Sequence, residues 1–307
     1  MRVVFFGTPE VAVASLRALL DAPEHDVTGV VTQPDRIRGR GRTVTPSPVK
    51  VLAEEAGLPI LQPETPKQEG FADALAALEP EMLCIVAYGH ILPRAVLGVA
   101  PAMNVHFSLL PRYRGAAPVQ RALIHGATET GVSVFLLEPT IDTGPVVRRA
   151  AVPIDPEETA GELLDRLAPL GAKLLLEAMG GYASGAIVPE QQDDTEASPA
   201  PKISPEETEI DWSLPAARIV NLVRGLSPKP GAHTIFRGRR LIVLRARVVG
   251  SDGPAGALVA VEDEGPVVAA GGGGVLLLEV QPEGKRPMAG AAFVRGYRPE
   301  PGSPLNI

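Results

Sequence analysis

At 307 residues the chain has room for one large or two medium domains, each with a core of its own. Its 45% hydrophobic and 21% charged residues are those of an ordinary globular protein, and no apolar run approaches the roughly 18 residues that span a bilayer. The net charge of −7 argues against a general nucleic-acid binder, and a lone cysteine, Cys84, excludes an internal disulfide.

The apolar start MRVVFFGTPE stops at Gly7, short for a secretory signal core, and with the unpaired thiol this makes a cytoplasmic protein the expectation. Arg2–Phe6 reads as a strand. Thr8 and Pro9 open a helix in which Leu16, Leu19 and Leu20 fall at helical spacing. Val27–Thr32 is a second strand, followed by a polar loop rich in arginine. Helices are expected over Pro48–Gly57, Gly70–Leu78 and Pro93–Val99, and a short strand over Leu58–Leu61. Glu81–Tyr88 reads as a fully buried strand ending at Gly89, with Cys84 as a small core residue inside it. Met103–Phe107 and Gly131–Leu137 are strands, and Val146–Pro153 pairs nearby. Glu157–Met179 is apolar at helical spacing, with a kink or break expected at Pro169.

This alternation predicts an α/β domain over residues 1–184, a Rossmann-like doubly wound sheet. Residues 185–207, rich in Pro, acids and small side chains, read as a linker. Beyond it, a helix at Pro215–Leu226 and short glycine-separated strands predict a small antiparallel β-barrel, OB-like, over 208–307. Charge is uneven: residues 1–201 hold 16 Lys+Arg against 25 Asp+Glu (net −9), and residues 202–307 hold 13 against 11 (net +2).

The turn GTPE lacks the glycine spacing of a dinucleotide fingerprint, which disfavours a nicotinamide enzyme. More chemistry lies in MNVHFSLLPRYRGAAP, residues 103–118. On an extended strand Asn104, His106 and Ser108 share one face while Val105 and Phe107 point into the core. Asp142 follows in EPTIDTGPV, on a turn after another strand, so amide, imidazole and carboxylate can converge at the carboxyl edge of the sheet, where such folds place ligands. Spacing alone leaves the alternative open that these are a structural histidine, a turn aspartate and a capping asparagine. The five histidines show no ligand spacing, and no metal is expected.

Several segments carry a resemblance: FFGTPE at 5–10, VVTQPDR at 30–36, GRGR at 39–42, PSPVKVLAEEAGLPI at 46–60, VAYGHILP at 86–93, NVHFSLLPRYRGAAPVQRAL at 104–123, IDTG at 141–144 and KISPEETEIDWS at 202–213. Over essentially its whole length the chain resembles the methionyl-tRNA formyltransferases. The N-H-x-S-L-L-P core is common to folate-dependent formyltransferases, whereas GRGR, GAAP and the K-I-S segment are narrower and point to the tRNA enzymes. The resemblance implies Asn104, His106 and Asp142 as the catalytic set. It implies folate contacts at Ser108, Leu109, Leu110 and Pro111 and at Tyr88 and Gly89, with 10-formyltetrahydrofolate as co-substrate. It also implies that Arg40 reaches the acceptor end of a charged initiator tRNA, within a basic loop that holds Arg36, Arg38 and Arg42 as well. No membrane partner is implied, and a monomer is expected.

Phe107 departs from the small residue or proline usual at its place, and Lys229 stands where an aromatic is common. With aromatics at 4% and Trp212 the sole tryptophan, RNA contact should rest on arginines, those of the loop and Arg237, Arg239, Arg240, Arg245 and Arg247 of the barrel, rather than on a stacking platform. Two rivals are a folate-dependent formyltransferase for a purine-pathway amine or an amino sugar, and a non-catalytic RNA-binding barrel with a degenerate enzyme domain.

Overall fold

The computed structural model describes residues 1–38, 43–303 and 305. Its elements, in chain order, begin with β1 (Arg2–Gly7), α1 (Val13–Asp21), β2 (Asp26–Val31), β3 (Arg36–Arg38), β4 (Thr43–Thr45), α2 (Pro48–Glu55), β5 (Ile60–Leu61) and α3 (Phe71–Ala76). They continue with β6 (Met82–Val86), α4 (Arg94–Leu97), β7 (Ala102–His106), α5 (Pro118–Ile124), β8 (Glu129–Leu136), β9 (Val146–Pro153), α6 (Ala160–Ala183) and α7 (Ala216–Leu226). The remainder is β10 (Ala232–Phe236), β11 (Arg239–Val249), β12 (Leu258–Val261), β13 (Pro266–Ala269), β14 (Gly274–Pro282), β15 (Met288–Ala289) and α8 (Gly290–Tyr297). Two compact units result, one of Met1–Pro118, Thr130–Val152 and Leu164–Pro201, the other of Val119–Glu129, Pro153–Leu163 and Lys202–Ile307.

In the first unit a seven-stranded sheet runs β5-β2-β1-β6-β7-β8-β9, parallel from β5 to β7 and antiparallel between β7 and β8. Parallel strands covered on both faces need unbroken apolar runs, and β6 (MLCIV) is buried at every position. Burial pushes the Cys84 thiol well above its ordinary range, so it stays protonated as a core residue. Helix α2 starts as its sequence dictates, with Ser47 Oγ accepting from Lys50 N at 3.0 Å and Pro48 in the first turn. Helix α6 runs through Pro169 uninterrupted, so no break occurs there. Two residues further on, a Cβ at Gly171 would lie 2.9 Å from Val105 Cγ1, which shows how closely α6 approaches β7. Val105 and Phe107 are buried, as the alternation requires.

The segment read as a linker is partly built into this unit. Glu190 pairs with Val146 and Pro199 with Arg114 through isolated bridges, and residues 185–201 group with the first unit. Their polar composition reflects side chains that bond to a neighbouring loop rather than a free spacer.

The second unit holds a six-stranded antiparallel sheet, β10-β11-β14-β13-β12 with β15 on β14. Register shifts between Val243 and Ala246 and between Leu258 and Ala260 bend its strands. Its core gathers Ile219, Val223 and Leu226 of α7 with Val243, Leu277 and Phe293. Trp212 belongs to this core, and its indole Nε1–H donates to Thr234 Oγ1 at 3.1 Å. Arg121, buried in this unit, forms a fork on Glu207, at 2.5 and 3.0 Å, that pushes the carboxyl down to about 2. Among the described residues no helix is long and apolar enough to cross a membrane.

Candidate active site

Strand β7 sets the site. Asn104 and His106 alternate to one face, and His106 is 5% exposed. The Asn104 amide makes no hydrogen bond among the described residues, so its donors remain available on the half-buried surface beside His106.

His106 is held by a backbone group that sequence reasoning did not single out. Its Nε2 lies 2.8 Å from the carbonyl oxygen of Tyr113. A carbonyl can only accept, so Nε2 carries the hydrogen and Nδ1 is the nitrogen left to face a ligand. The ring also meets Phe135 edge-on, with centroids 6.4 Å apart.

Asp142 closes the constellation, with Oδ2 at 3.7 Å from His106 Nδ1 and its side chain 14% exposed. That separation exceeds a hydrogen bond, so Tyr113, and not Asp142, orients the imidazole. The same Asp142 oxygen accepts Gly115 N–H at 2.7 Å. Asp142 sits at φ +52, a left-handed conformation that Asp tolerates better than most residues. It meets His106, the last residue of β7, at that strand's carboxyl end, but by an indirect route. Because β8 is antiparallel, Leu136 lies level with Met103, and the following loop must fold back over β7 to bring Asp142 to His106.

The turn after β7 is braced from inside. Ser133 Oγ donates to the Ser108 carbonyl at 2.7 Å and accepts Leu110 N–H at 3.0 Å, both fully buried contacts. Ser108 Oγ donates to the Arg112 carbonyl at 2.6 Å. The peptide bond Leu110–Pro111 is cis. Of the four turn residues expected to meet folate, Ser108, Leu110 and Pro111 are buried and Leu109 is half-buried. Strand alternation does not extend to Ser108, since β7 ends at His106.

After β6, Tyr88 is 1% exposed and packs edge-on against Phe6 at 5.4 Å. Burial pushes its phenol up to about 12, and its hydroxyl has no hydrogen-bond partner among the described residues. The Tyr88 carbonyl accepts from Gln33 Nε2 at 2.9 Å, while Gly89 is exposed at φ +88. Ile91, 65% exposed, and Ile141, 56% exposed, are large apolar side chains left open on the loops that carry Gly89 and Asp142.

Of the basic loop, Arg36 is exposed on β3, which pairs with β4; Arg40 and Arg42 lie outside the described residues, and Arg38 belongs to β3. In the second unit Arg245 pairs with Glu162 and Arg247 with Glu264, while Arg237 caps the Tyr297 and Arg298 carbonyls. Arg239 and Arg240 are exposed. Lys229 is exposed, which accounts for a charged residue being tolerated there.

Known proteins bear directly on this site. Residues 1–179 match the formyl transferase family model, and residues 202–298 match that of the formyl transferase C-terminal domain. The methionyl-tRNA formyltransferase of Frankia casuarinae is 47% identical, covering 99% of this chain and 96% of the relative, and that of Moorella thermoacetica is 46% identical, covering 99% of each. The chain belongs to the methionyl-tRNA formyltransferase family. A solved member, the Clostridium thermocellum enzyme, shares the fold at a TM-score of 0.59 and 18% identity, over 80% of this chain and 93% of its own. HypX from Aquifex aeolicus superposes at a TM-score of 0.69 with 18% identity, covering 97% of this chain; the chain spans 47% of HypX. Within the formyltransferase domain the sequence-derived set Asn104, His106 and Asp142 is brought together; Tyr113 and Gly115, inside the 104–123 motif, hold it through main-chain groups that side-chain patterns do not mark, and Gln192 lies outside every motif.

Proposed function

We propose that this chain transfers the formyl group of 10-formyltetrahydrofolate to the amino group of methionine carried by initiator tRNA, for translation initiation. The observation that carries this reading is His106 Nδ1 facing Asp142 Oδ2 at 3.7 Å, on the β7 face that also presents Asn104. Formyl transfer needs no covalent enzyme intermediate: the amine forms a new N–C bond, the C–N10 bond of the donor breaks, and the amine proton ends on N10. Negative charge develops on the formyl oxygen, where the Asn104 amide and the Nδ1–H of protonated His106 donate hydrogen bonds. Asp142 offers a carboxylate beside Nδ1 that compensates the imidazolium and accepts the amine proton on its way to N10.

A flat heterocycle needs apolar faces and polar groups at its rim, and to the first we assign the exposed Ile91 and Ile141, on the loops that carry Gly89 and Asp142. Among the turn residues Leu109 has partial exposure and is the one open to such a ligand, while Ser108, Leu110 and Pro111 are buried. Charged tRNA would be gripped by the arginines of the 36–42 loop, Arg40 foremost, and by exposed Arg239 and Arg240.

The test is a competition. The protein is given 10-formyltetrahydrofolate with charged initiator tRNA, a ribosyl glycinamide or a nucleotide-linked amino sugar, and the formylated amine is identified. Efficient formylation of the tRNA alone is expected. Preference for either small amine would replace this reading with that of another folate-dependent formyltransferase.

A further inference from the structure

Asp142 is the most exposed to displacement of the three reacting groups, because it sits on a loop and not on a strand. Among the described residues, the main chain of residues 138–144 is tied to another segment by two hydrogen bonds only, and both come from one side chain. Gln192 Nε2 donates to the Asp142 carbonyl at 2.9 Å and to the Gly144 carbonyl at 2.7 Å. Both of its amide hydrogens are thereby used.

The other end of the same amide is equally committed. Gln192 Oε1 accepts from Arg114 Nε at 3.0 Å and from Arg114 NH2 at 2.9 Å. Arg114 is followed by Gly115, whose N–H holds the Asp142 carboxylate, and preceded by Tyr113, whose carbonyl holds His106. The contacts therefore close a ring: Asp142 carboxylate, Gly115, Arg114, Gln192 and back to the Asp142 main chain. A cationic fork on Oε1 polarises the amide and strengthens its two N–H donors.

The strap that carries Gln192 is itself anchored on both sides. Val146 and Glu190 exchange backbone hydrogen bonds at 2.7 and 2.8 Å, which sets the phase of the strap two residues before Gln192. Ser198 accepts Tyr113 N–H on Oγ at 2.9 Å and Arg114 N–H on its carbonyl at 2.8 Å, and Asp194 pairs with Arg114 at 2.8 Å. Gln192 is thus a fixed point from which the loop hangs.

We propose that Gln192 is a positioning residue for formyl transfer, one that acts through Asp142 by holding its main chain while the Gly115 N–H holds its carboxylate. The proposal rests on the formyltransferase reading above. It assigns to residues 190–200 the function of a strap for the catalytic loop.

Gln192→Glu tests it, because the replacement keeps the acceptor for Arg114 but sets a carboxylate against two carbonyls. Gln192→Met, which removes both functions without adding charge, guards against a misleading rearrangement. In either variant kcat should fall roughly 10- to 100-fold, the scale expected for a misplaced reacting group, with KM for folate and tRNA within about twofold. The decisive measurement is a double-mutant cycle with Asp142→Asn. If Gln192 acts through Asp142, the Gln192 substitution should cost no further rate in that background. Losses that multiply would overturn the proposal. Amide hydrogen exchange gives a readout independent of turnover: residues 138–144 should exchange faster in both variants, and unchanged exchange there would also overturn it. Failure of the broader reading looks different, since the unsubstituted protein would then formylate no charged tRNA while the exchange result still stands or falls by itself.

Discussion

Gly115 offers a quantitative check on how the site is held. Its φ is +130, and a Cβ there would stand 2.5 Å from the Ala200 carbonyl oxygen and 3.0 Å from its carbon. Ala200 cannot withdraw freely, since its N–H donates to the Arg114 carbonyl at 2.6 Å and its carbonyl accepts from Ala117 at 3.1 Å. In Gly115→Ala, backbone strain of about 1–3 kcal/mol adds to an overpacking cost of about 1–3 kcal/mol, together roughly 2–6 kcal/mol. Gly57→Ala is the matched control: φ is +67, but nothing lies within 4 Å of the added Cβ, so only the left-handed penalty of about 1–2 kcal/mol applies. Urea unfolding of both variants would measure the difference. Formylation of charged tRNA would show whether the displaced Gly115 N–H costs turnover, and a drop in kcat is expected for Gly115→Ala but not for Gly57→Ala. Equal destabilisation by the two substitutions, with kcat intact in both, would refute the view that the strap and the 113–115 turn are wedged against each other.

Other perturbations test separate parts of the argument. His106→Ala should lower single-turnover rates by roughly 10²–10⁴-fold, and Asn104→Ala should cost about 2.7–4 kcal/mol of transition-state stabilisation; near-normal rates would remove either residue from the chemistry. Arg40→Ala should weaken use of charged tRNA, leave folate affinity unchanged and reduce the log–log salt slope of RNA binding by about one, whereas loss of folate affinity would place Arg40 elsewhere. The fork of Arg121 holds the Glu207 carboxyl at about 2, below its unfolded value of 4.5. Its stabilisation is present above about pH 4.5 and is lost as pH falls towards 2, so the stability gap between the protein and Glu207→Gln should narrow over that window. A gap that stays constant with pH would show that the pair contributes nothing through charge.

The local order of elements was legible because burial leaves a period in sequence. The apolar run of β6 and the alternation of Asn104, Val105, His106 and Phe107 each report one element's faces, and the structure keeps both. The shared motifs carried the family directly, since each is an unbroken run of residue types that the sequence itself displays. What no period records is a polar contact between distant segments. Tyr113 orients His106 through a main-chain carbonyl, and a carbonyl is present at every residue. Because β8 is antiparallel to β7 and ends level with Met103, Asp142 reaches His106 only through a loop that folds back, a matter of pairing sense that neither strand's pattern encodes. Residues 185–201 have the composition of a spacer, yet Gln192 and Ser198 spend their polar groups on the catalytic loop and on the 113–115 turn. Composition reports how much polarity a segment carries; only the tertiary fold decides whether water or a neighbouring backbone satisfies it.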